Sequence, residues 1–153
     1  NITDSLKSFD GVKRRFDIHH VSDKKVYIDD YAHHPKEVLV TIETVKKLFP
    51  NRTVTVVFQP HLYSRTSDFA KDFANSLSLA DDLIIMDIYP AREHPIIGVD
   101  SSMLLNLCTN KSKNTCSKSN LLTLLGKKDL DVILTLGAGD ISSLVEPIKE
   151  MIS

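Results

Sequence analysis

The sequence lacks the features that mark several large protein classes. It holds only two cysteines, Cys108 and Cys116, which are too few for a disulfide framework and fit no common zinc spacing. No apolar run approaches the roughly 20 residues of a transmembrane helix, and residues 1–9 do not resemble a signal peptide. The formal net charge of −1 excludes a global basic field for nucleic acid. We therefore expect a cytoplasmic protein with reduced thiols that binds neither nucleic acid nor membranes.

Three motifs that mark common enzyme active sites are also missing. The sequence contains no GxxxxGK[ST] phosphate loop, no GxGxxG after its first strand and no GxSxG nucleophile elbow. The chain therefore carries no triphosphate cradle of the phosphate-loop type. Because it begins without methionine, we expect it to be a piece of a longer protein.

Strands and helices are predicted to alternate along one globular domain. The chain has 153 residues, of which 42% are hydrophobic and 25% charged, enough to bury a sizeable core. Two extended runs come first, joined by a hairpin turn, and buried β-branched strands and periodic helices follow. The predicted elements are strands Arg14–His19 and Lys25–Ile28, a helix from Pro35 to Phe49, strand Thr53–Phe58, helix Ser67–Leu79, strand Asp82–Ile88, a helix from Ser101 to Leu107, an edge strand near Asn114–Cys116 as one alternative for a polar stretch, a short helix Asn120–Leu125, strand Asp131–Leu136 and helix Ile141–Met151, which Pro147 is predicted to kink.

This order predicts the fold class. Strands separated by helices form a mostly parallel sheet with right-handed crossovers. We predict an α/β, three-layer, Rossmann-like domain with a mostly parallel six-stranded sheet and one antiparallel N-terminal edge strand.

Polar segments follow four of the predicted strands. They are DDYAHHP from Asp29, QPHLYSRT from Gln59, DIYPAREHP from Asp87 and GAGD from Gly137. Because ligands of open α/β sheets bind at the carboxyl ends of the strands, we expect one site where these segments meet. Arg65 can hold a carboxylate or phosphate through two hydrogen bonds, and the glycines of GAGD allow close backbone approach. Each segment alone also fits a plain cap, turn or solvated surface.

The residues leave two further functions open. His33 and His34 beside Asp29 and Asp30 fit a metal-dependent phosphohydrolase. Adjacent histidines on one turn do not easily face a single ion, so we expect no metal site. A non-catalytic α/β ligand-binding module is the other alternative.

Five successive segments resemble motifs of the Mur ligase family, which builds the peptide stem of peptidoglycan. They are FxGVxRRF from Phe9, DDYAHHPKEV, FQPHLYSRT, DIYPAREHPIIGVDS and LGAGDI. The QPH and YPA segments are most similar to the alanine-adding branch, with the murein tripeptide-recycling branch as the alternative. The resemblance identifies 9–153 as a Mur ligase C-terminal domain and 1–8 as a remnant of the preceding central domain. Leu62 departs from the pattern, because the family often has a basic residue there.

The resemblance implies an ATP-dependent ligase that works through an acyl phosphate. In the family a central domain holds ATP with Mg²⁺, and an N-terminal domain holds UDP-N-acetylmuramate. The C-terminal domain closes over both and over L-alanine, so the fragment alone is expected to be inactive and to bind no cofactor by itself. The matching residues are Asp30, His33, His61 and Arg65 for catalysis, Arg15, Asp30 and His33 for the nucleotide, and Tyr31, His61, Arg65 and Glu93 for the substrate.

Overall fold

A six-stranded sheet forms the centre of the protein in a computed structural model that describes residues 12–153. Its strands are β1 Asp17–Val21, β2 Val26–Asp30, β3 Val54–Phe58, β4 Asp82–Met86, β5 Ser112–Cys116 and β6 Val132–Leu136. Their order across the sheet is β1-β2-β6-β3-β4-β5. Only β1 runs antiparallel, against β2 at the edge, and the other neighbouring pairs are parallel. This arrangement confirms the predicted sheet.

Helices cover both faces of the sheet and make the three layers. One hydrophobic cluster packs the first, third and fourth helices on one face, and a second cluster packs the last two on the other. The central strands β3, β4 and β6 are buried along their whole length, as expected for strands covered on both sides. The helices are α1 Pro35–Leu48, α2 Tyr63–Asp68, α3 Ala70–Leu77, α4 Ser101–Leu107, α5 Leu121–Leu125 and α6 Val145–Ile152, with 3-10 helices Lys118–Asn120 and Asp140–Leu144.

Two element boundaries differ from the predictions for a backbone reason. The first strand was predicted from Arg14 but begins at Asp17, because Arg14 and Phe16 have φ angles of 61° and 47°. Left-handed residues cannot continue a strand. The helix predicted from Ser67 to Leu79 is two helices, α2 and α3, separated at Phe69, whose ψ of 19° interrupts the regular turn.

The helix predicted over Ile141–Met151 changes type ahead of Pro147. A 3-10 helix ends at Leu144, and α6 begins at Val145, so Pro147 lies in the first turn of α6. The backbone N–H groups of a first turn have no partner within the helix, so proline is tolerated there.

Several further expectations concern residues outside the sheet edge. The predicted domain boundary between 8 and 9 lies outside the described residues, as does the start of the FxGVxRRF segment.

Cys108 and Cys116 are free and buried, and burial raises the pKa of both thiols. Among residues 12–153, every helix is too short or too polar to cross a membrane.

Candidate active site

The predicted polar segments meet at the carboxyl edge of the sheet. β2 and β6 pair up to their last residues, Asp30 and Leu136, and β3 ends beside them at Phe58. Beyond the ends of β3 and β4, His61 and Tyr89 form one more parallel bridge. The loops after β2, β3, β4 and β6 therefore surround one region, as the predicted topology requires.

Asp30 fastens the loop after β2 to the turn before β1. Its carboxylate accepts hydrogen bonds from the backbone N–H of Phe16 at 2.7 Å and of Ala32 at 2.7 Å. Both carboxylate oxygens are thus engaged by the backbone. Asp30 and Arg15 line the same cleft, and the Arg15 side chain is exposed.

A largely buried ion pair joins the end of β2 to the turn before β1. Nε of Arg14 donates to Oδ2 of the fully buried Asp29 at 2.9 Å, and Nη2 donates to the carbonyl oxygen of Gly137 at 2.7 Å. The other oxygen of Asp29 accepts from the hydroxyl of Thr135 at 2.6 Å. The Tyr27 hydroxyl lies 3.1 Å from the same Thr135 oxygen, and burial raises the pKa of this phenol. This network ties together the turn before β1, β2 and β6.

His33 is held at the start of α1 by its own loop. Nδ1 lies 3.0 Å from the carbonyl oxygen of Tyr31 and 3.5 Å from a carboxylate oxygen of Glu37. That carboxylate also accepts from the backbone N–H of His33 and of His34, each at 3.0 Å, and so caps the helix. Burial alone would raise the pKa of Glu37, but the backbone hydrogen bonds from His33 and His34 outweigh burial, and the pKa is lowered.

His61 and Arg65 form a second cluster one helical turn apart. Nη1 of Arg65 lies 3.2 Å from Nδ1 of His61, whose ring stacks on Tyr89 with centroids 5.6 Å apart. Burial of the ring, with the charges of Arg65 and His33, lowers the pKa of His61. The chain reverses here through Leu62, whose φ is 73°, and α2 begins at the next residue. The backbone carbonyl of Leu62 accepts two hydrogen bonds from Thr66, at 3.1 Å from its N–H and 2.7 Å from its hydroxyl.

Glu93 supports the start of α2. Its carboxylate accepts hydrogen bonds from both the hydroxyl and the backbone N–H of Ser64, the latter at 3.0 Å. These bonds, the hydroxyl first, lower the pKa of Glu93. Glu93 therefore reaches the predicted site by anchoring the helix that carries Arg65.

The GAGD turn is packed against protein rather than open to a ligand at its glycines. A Cβ at Gly139 would lie 2.5 Å from Oε1 of Gln59 and 2.7 Å from Cβ of Tyr89. Gln59 Oε1 accepts from the backbone N–H of Ile141 at 2.9 Å, and its Nε2 donates to Asp140 at 2.7 Å. These glycines do allow a close approach to their backbone, but the groups that approach are Gln59 and Tyr89 and not a ligand.

The cleft beside Asp30 has a volume of about 370 Å³ and is lined by Arg15, Asp30, Tyr31 and His33, among others, which together form the first cluster. It reaches the second cluster through His33 and His61, whose ring centroids lie 6.2 Å apart. Within residues 12–153, His, Cys, Asp and Glu side chains form no group of three that could hold a metal ion. Arg15 is the cation of this cleft, and the two carboxylates in its lining, Asp30 and Glu37, both accept hydrogen bonds from backbone N–H groups.

A family of known proteins has this architecture and these motifs. The sequence model of the Mur ligase, glutamate ligase domain, matches residues 14–139. The chain belongs to the Mur ligase family. A UDP-N-acetylmuramate–L-alanine ligase of Cytophaga hutchinsonii is 52% identical over 149 residues, which are 97% of this chain and 32% of that protein. The enzyme of the same name from Flavobacterium psychrophilum is 53% identical over 98% of this chain and 34% of its own length.

Solved structures of Mur ligases agree with the fold. The UDP-N-acetylmuramate–alanine ligase of Thermotoga maritima superposes with a TM-score of 0.77 at 28% identity, over 97% of this chain and 32% of that one. A murein peptide ligase of Psychrobacter arcticus has a TM-score of 0.70 at 19% identity, which supports the fold alone. The chain thus spans about a third of the length of the relatives it matches.

In this Mur ligase domain, the predicted site residues all reach one edge of the sheet but form two clusters. Arg15, Asp30, Tyr31 and His33 line the cleft, whereas His61, Arg65 and Glu93 surround the start of α2. Their functional roles remain predictions. The sequence did not predict the supporting contacts made by Arg14, Asp29, Gln59, Tyr89 and Thr135, although a charged pair on neighbouring elements was a signal for the first two.

Proposed function

We propose that the chain is the C-terminal domain of an ATP-dependent ligase that joins L-alanine to UDP-N-acetylmuramate in peptidoglycan synthesis. The observation that carries the proposal is the 52% identity to a UDP-N-acetylmuramate–L-alanine ligase along 97% of the chain. The cytoplasm, where ATP is available, is the proposed location. The central and N-terminal domains of the longer protein are the proposed partners of this face.

The charges at the sheet edge suit such a reaction. An acyl phosphate and the carboxylate of alanine are both anions, and pre-positioned donors stabilise anionic charge that develops in a transition state. Arg65 is oriented by His61 at 3.2 Å and is only half-buried, so its remaining N–H groups can serve a ligand. We assign Arg65 and His61 to the anionic end of the substrate, with Tyr31 beside them and Glu93 supporting Arg65 from the loop after β4.

The nucleotide is assigned to the cleft over Asp30. Arg15 is exposed there and suits a phosphate oxygen, and His33 lies on the side of the cleft that meets His61, between the nucleotide and the amino acid. Asp30 acts by holding this loop, since backbone N–H groups occupy both of its carboxylate oxygens. The residues fit a phosphate-bearing ligand but not a Mg²⁺ site of their own, so we assign Mg²⁺ to the central domain of the longer protein. ATP supplies the phosphoryl group that activates the carboxylate.

Closure of this domain over the others would give the site its selectivity. An acyl phosphate is destroyed by water, and a closing domain excludes water while it completes the donor set. Since the donors on this chain reach the reacting groups only on closure, the chain alone is proposed to be inactive.

The test uses the longer protein of which this chain is part. Phosphate release from ATP is measured with UDP-N-acetylmuramate and either L-alanine or the murein tripeptide. Release that depends on L-alanine supports the proposal. Phosphate release that depends on the tripeptide identifies the recycling ligase instead. Phosphate release that depends on neither amine contradicts both ligase functions.

A further inference from the structure

We propose that His33 is the general base that accepts a proton from the incoming amino group, while the neighbouring His61 serves only as a hydrogen-bond donor. The inference rests on the proposed ligase function and assigns its proton transfer to one nitrogen atom. It comes from the tautomers that the hydrogen bonds of the two rings impose.

The hydrogen bonds of His33 leave one nitrogen free to accept a proton. Nδ1 lies 3.0 Å from the carbonyl oxygen of Tyr31, and a carbonyl oxygen can only accept a hydrogen bond, so Nδ1 carries the hydrogen. A carboxylate oxygen of Glu37 lies 3.5 Å from the same nitrogen, so a second acceptor also faces Nδ1. Among the described residues, all recorded hydrogen bonds of this ring use Nδ1. Nε2 therefore keeps its lone pair for a ligand in the cleft.

The hydrogen bonds of His61 impose the opposite tautomer. Nδ1 lies 3.2 Å from Nη1 of Arg65, and a guanidinium is always a donor, so Nδ1 must hold the lone pair. Nε2 then carries the hydrogen and donates. Protonation of His61 would break its contact with Arg65 and place two cations together. Burial of the ring and the charge of Arg65 lower the pKa of His61, which favours the neutral ring.

The other charged groups around His33 are less suited to accept the proton. Both oxygens of Asp30 already accept backbone hydrogen bonds. The pKa of Glu37 is lowered by its backbone hydrogen bonds, so it is a weaker base than an ordinary carboxylate. Arg15 is a cation, and His61, 6.2 Å away between ring centroids, is the donor described above. Nε2 of His33 is thus a nitrogen lone pair in this cleft that no hydrogen bond among residues 12–153 occupies, and nitrogen is a stronger base than the carboxylate of Glu37.

Proton transfer to His33 precedes formation of the amide bond. Alanine arrives as an ammonium ion and gives one proton to Nε2 of His33. The freed amine attacks the acyl carbon, forming the N–C bond and breaking the C–O bond to phosphate. Phosphate leaves with the electron pair and takes the second N–H proton as hydrogen phosphate. His33 returns its proton to solvent when the site opens.

The test compares two nucleophiles in the longer protein. His33→Asn keeps an N–H donor for the Tyr31 carbonyl but removes the base. We expect kcat for alanine to fall by about 10²- to 10⁴-fold, the usual contribution of general base catalysis, and to lose the decline of the wild type at acidic pH. Hydroxylamine, whose nitrogen is unprotonated at neutral pH, needs no base, so its capture of the acyl phosphate as a hydroxamate should stay within about twofold of the wild type. Added imidazole should restore part of the alanine reaction.

Three results would overturn the assignment. An unchanged kcat for alanine excludes His33 as the base. Equal losses of rate with alanine and with hydroxylamine would show that His33 acts in acyl phosphate formation or in folding instead. Thermal melts and the His33→Ala variant distinguish these two roles. A change confined to KM for alanine indicates positioning only. His20→Gln, on β1 at the opposite end of the sheet, is the matched control and should change neither reaction. A wild-type protein that makes no alanine-dependent product contradicts the ligase function itself.

Discussion

Replacement of Arg65 by alanine should separate catalysis from folding. In the structure the guanidinium is half-buried, and its recorded contact within residues 12–153 is to Nδ1 of His61 at 3.2 Å. Losing one partly exposed contact, at a helical position where alanine is favourable, should change the free energy of unfolding by less than about 1 kcal/mol. Thermal melts of the 153-residue chain check this part of the prediction.

The same substitution should strongly reduce catalysis in the longer protein. If Arg65 holds the alanine carboxylate or the acyl phosphate, its removal leaves that anion without a donor in a closed site. By analogy with losing one oxyanion donor, the cost is about 2–4 kcal/mol of transition-state stabilisation. This corresponds to a fall in kcat/KM on the order of 30- to 1,000-fold. Arg65→Lys should recover little, because an ammonium cannot reproduce the planar pair of donors.

The assay is alanine-dependent phosphate release by wild type, Arg65→Ala and Arg65→Lys. Lys71→Ala removes an exposed cation from α3 and serves as the matched control, with activity expected to remain near wild type. If Arg65→Ala melts normally and retains wild-type kcat/KM, Arg65 is a surface residue and the assignment of this cluster to the substrate is refuted.

Three further predictions concern the scaffold of the site. Arg14→Ala leaves the buried Asp29 carboxylate without its cation and should destabilise the chain by about 3–5 kcal/mol in urea denaturation, and a loss below about 1 kcal/mol would contradict the network. Gly139→Ala places Cβ 2.5 Å from Oε1 of Gln59, and the resulting overpacking should cost about 1–3 kcal/mol, seen as a lower Tm, whereas an unchanged Tm would show that the turn can relax. The pKa of His61 is lowered in the folded state, so the unfolded chain binds the ring proton more tightly than the folded chain. The contribution of His61 to the free energy of unfolding should therefore fall as the pH drops below the ordinary pKa of 6.5. NMR titration of the His61 ring checks the direction, and a midpoint above 6.5 would contradict it.

The fold was largely predictable because its signals are local. The β-branched and aliphatic runs of β3, β4 and β6 are buried on both faces, which is the pattern of central parallel strands. Boundaries were less predictable where the backbone takes unusual angles. Arg14 and Phe16 have positive φ in a turn whose backbone N–H groups are bound by Asp17 and by Asp30, and the second contact comes from another element that local sequence patterns do not report.

The location of the site was predictable, but the hydrogen bonds and packing contacts within it were not. Parallel topology alone brings the strand ends together, so the loops carrying His33, His61 and Arg65 had to lie on one edge. The tautomers of the two histidines depend on single distances to Tyr31 and Arg65. The packing role of the GAGD glycines depends on where side chains from other loops settle, which sequence spacing does not determine.

The most direct test of the account follows oxygen from the sugar carboxylate to phosphate. The longer protein is given ATP, L-alanine and UDP-N-acetylmuramate labelled with ¹⁸O in its carboxylate, and the phosphate and nucleotide products are analysed by mass spectrometry. The account predicts one ¹⁸O atom in each phosphate formed and a UDP-N-acetylmuramoyl-L-alanine product, both dependent on alanine. Unlabelled phosphate, or label transfer with no alanine in the product, would contradict it.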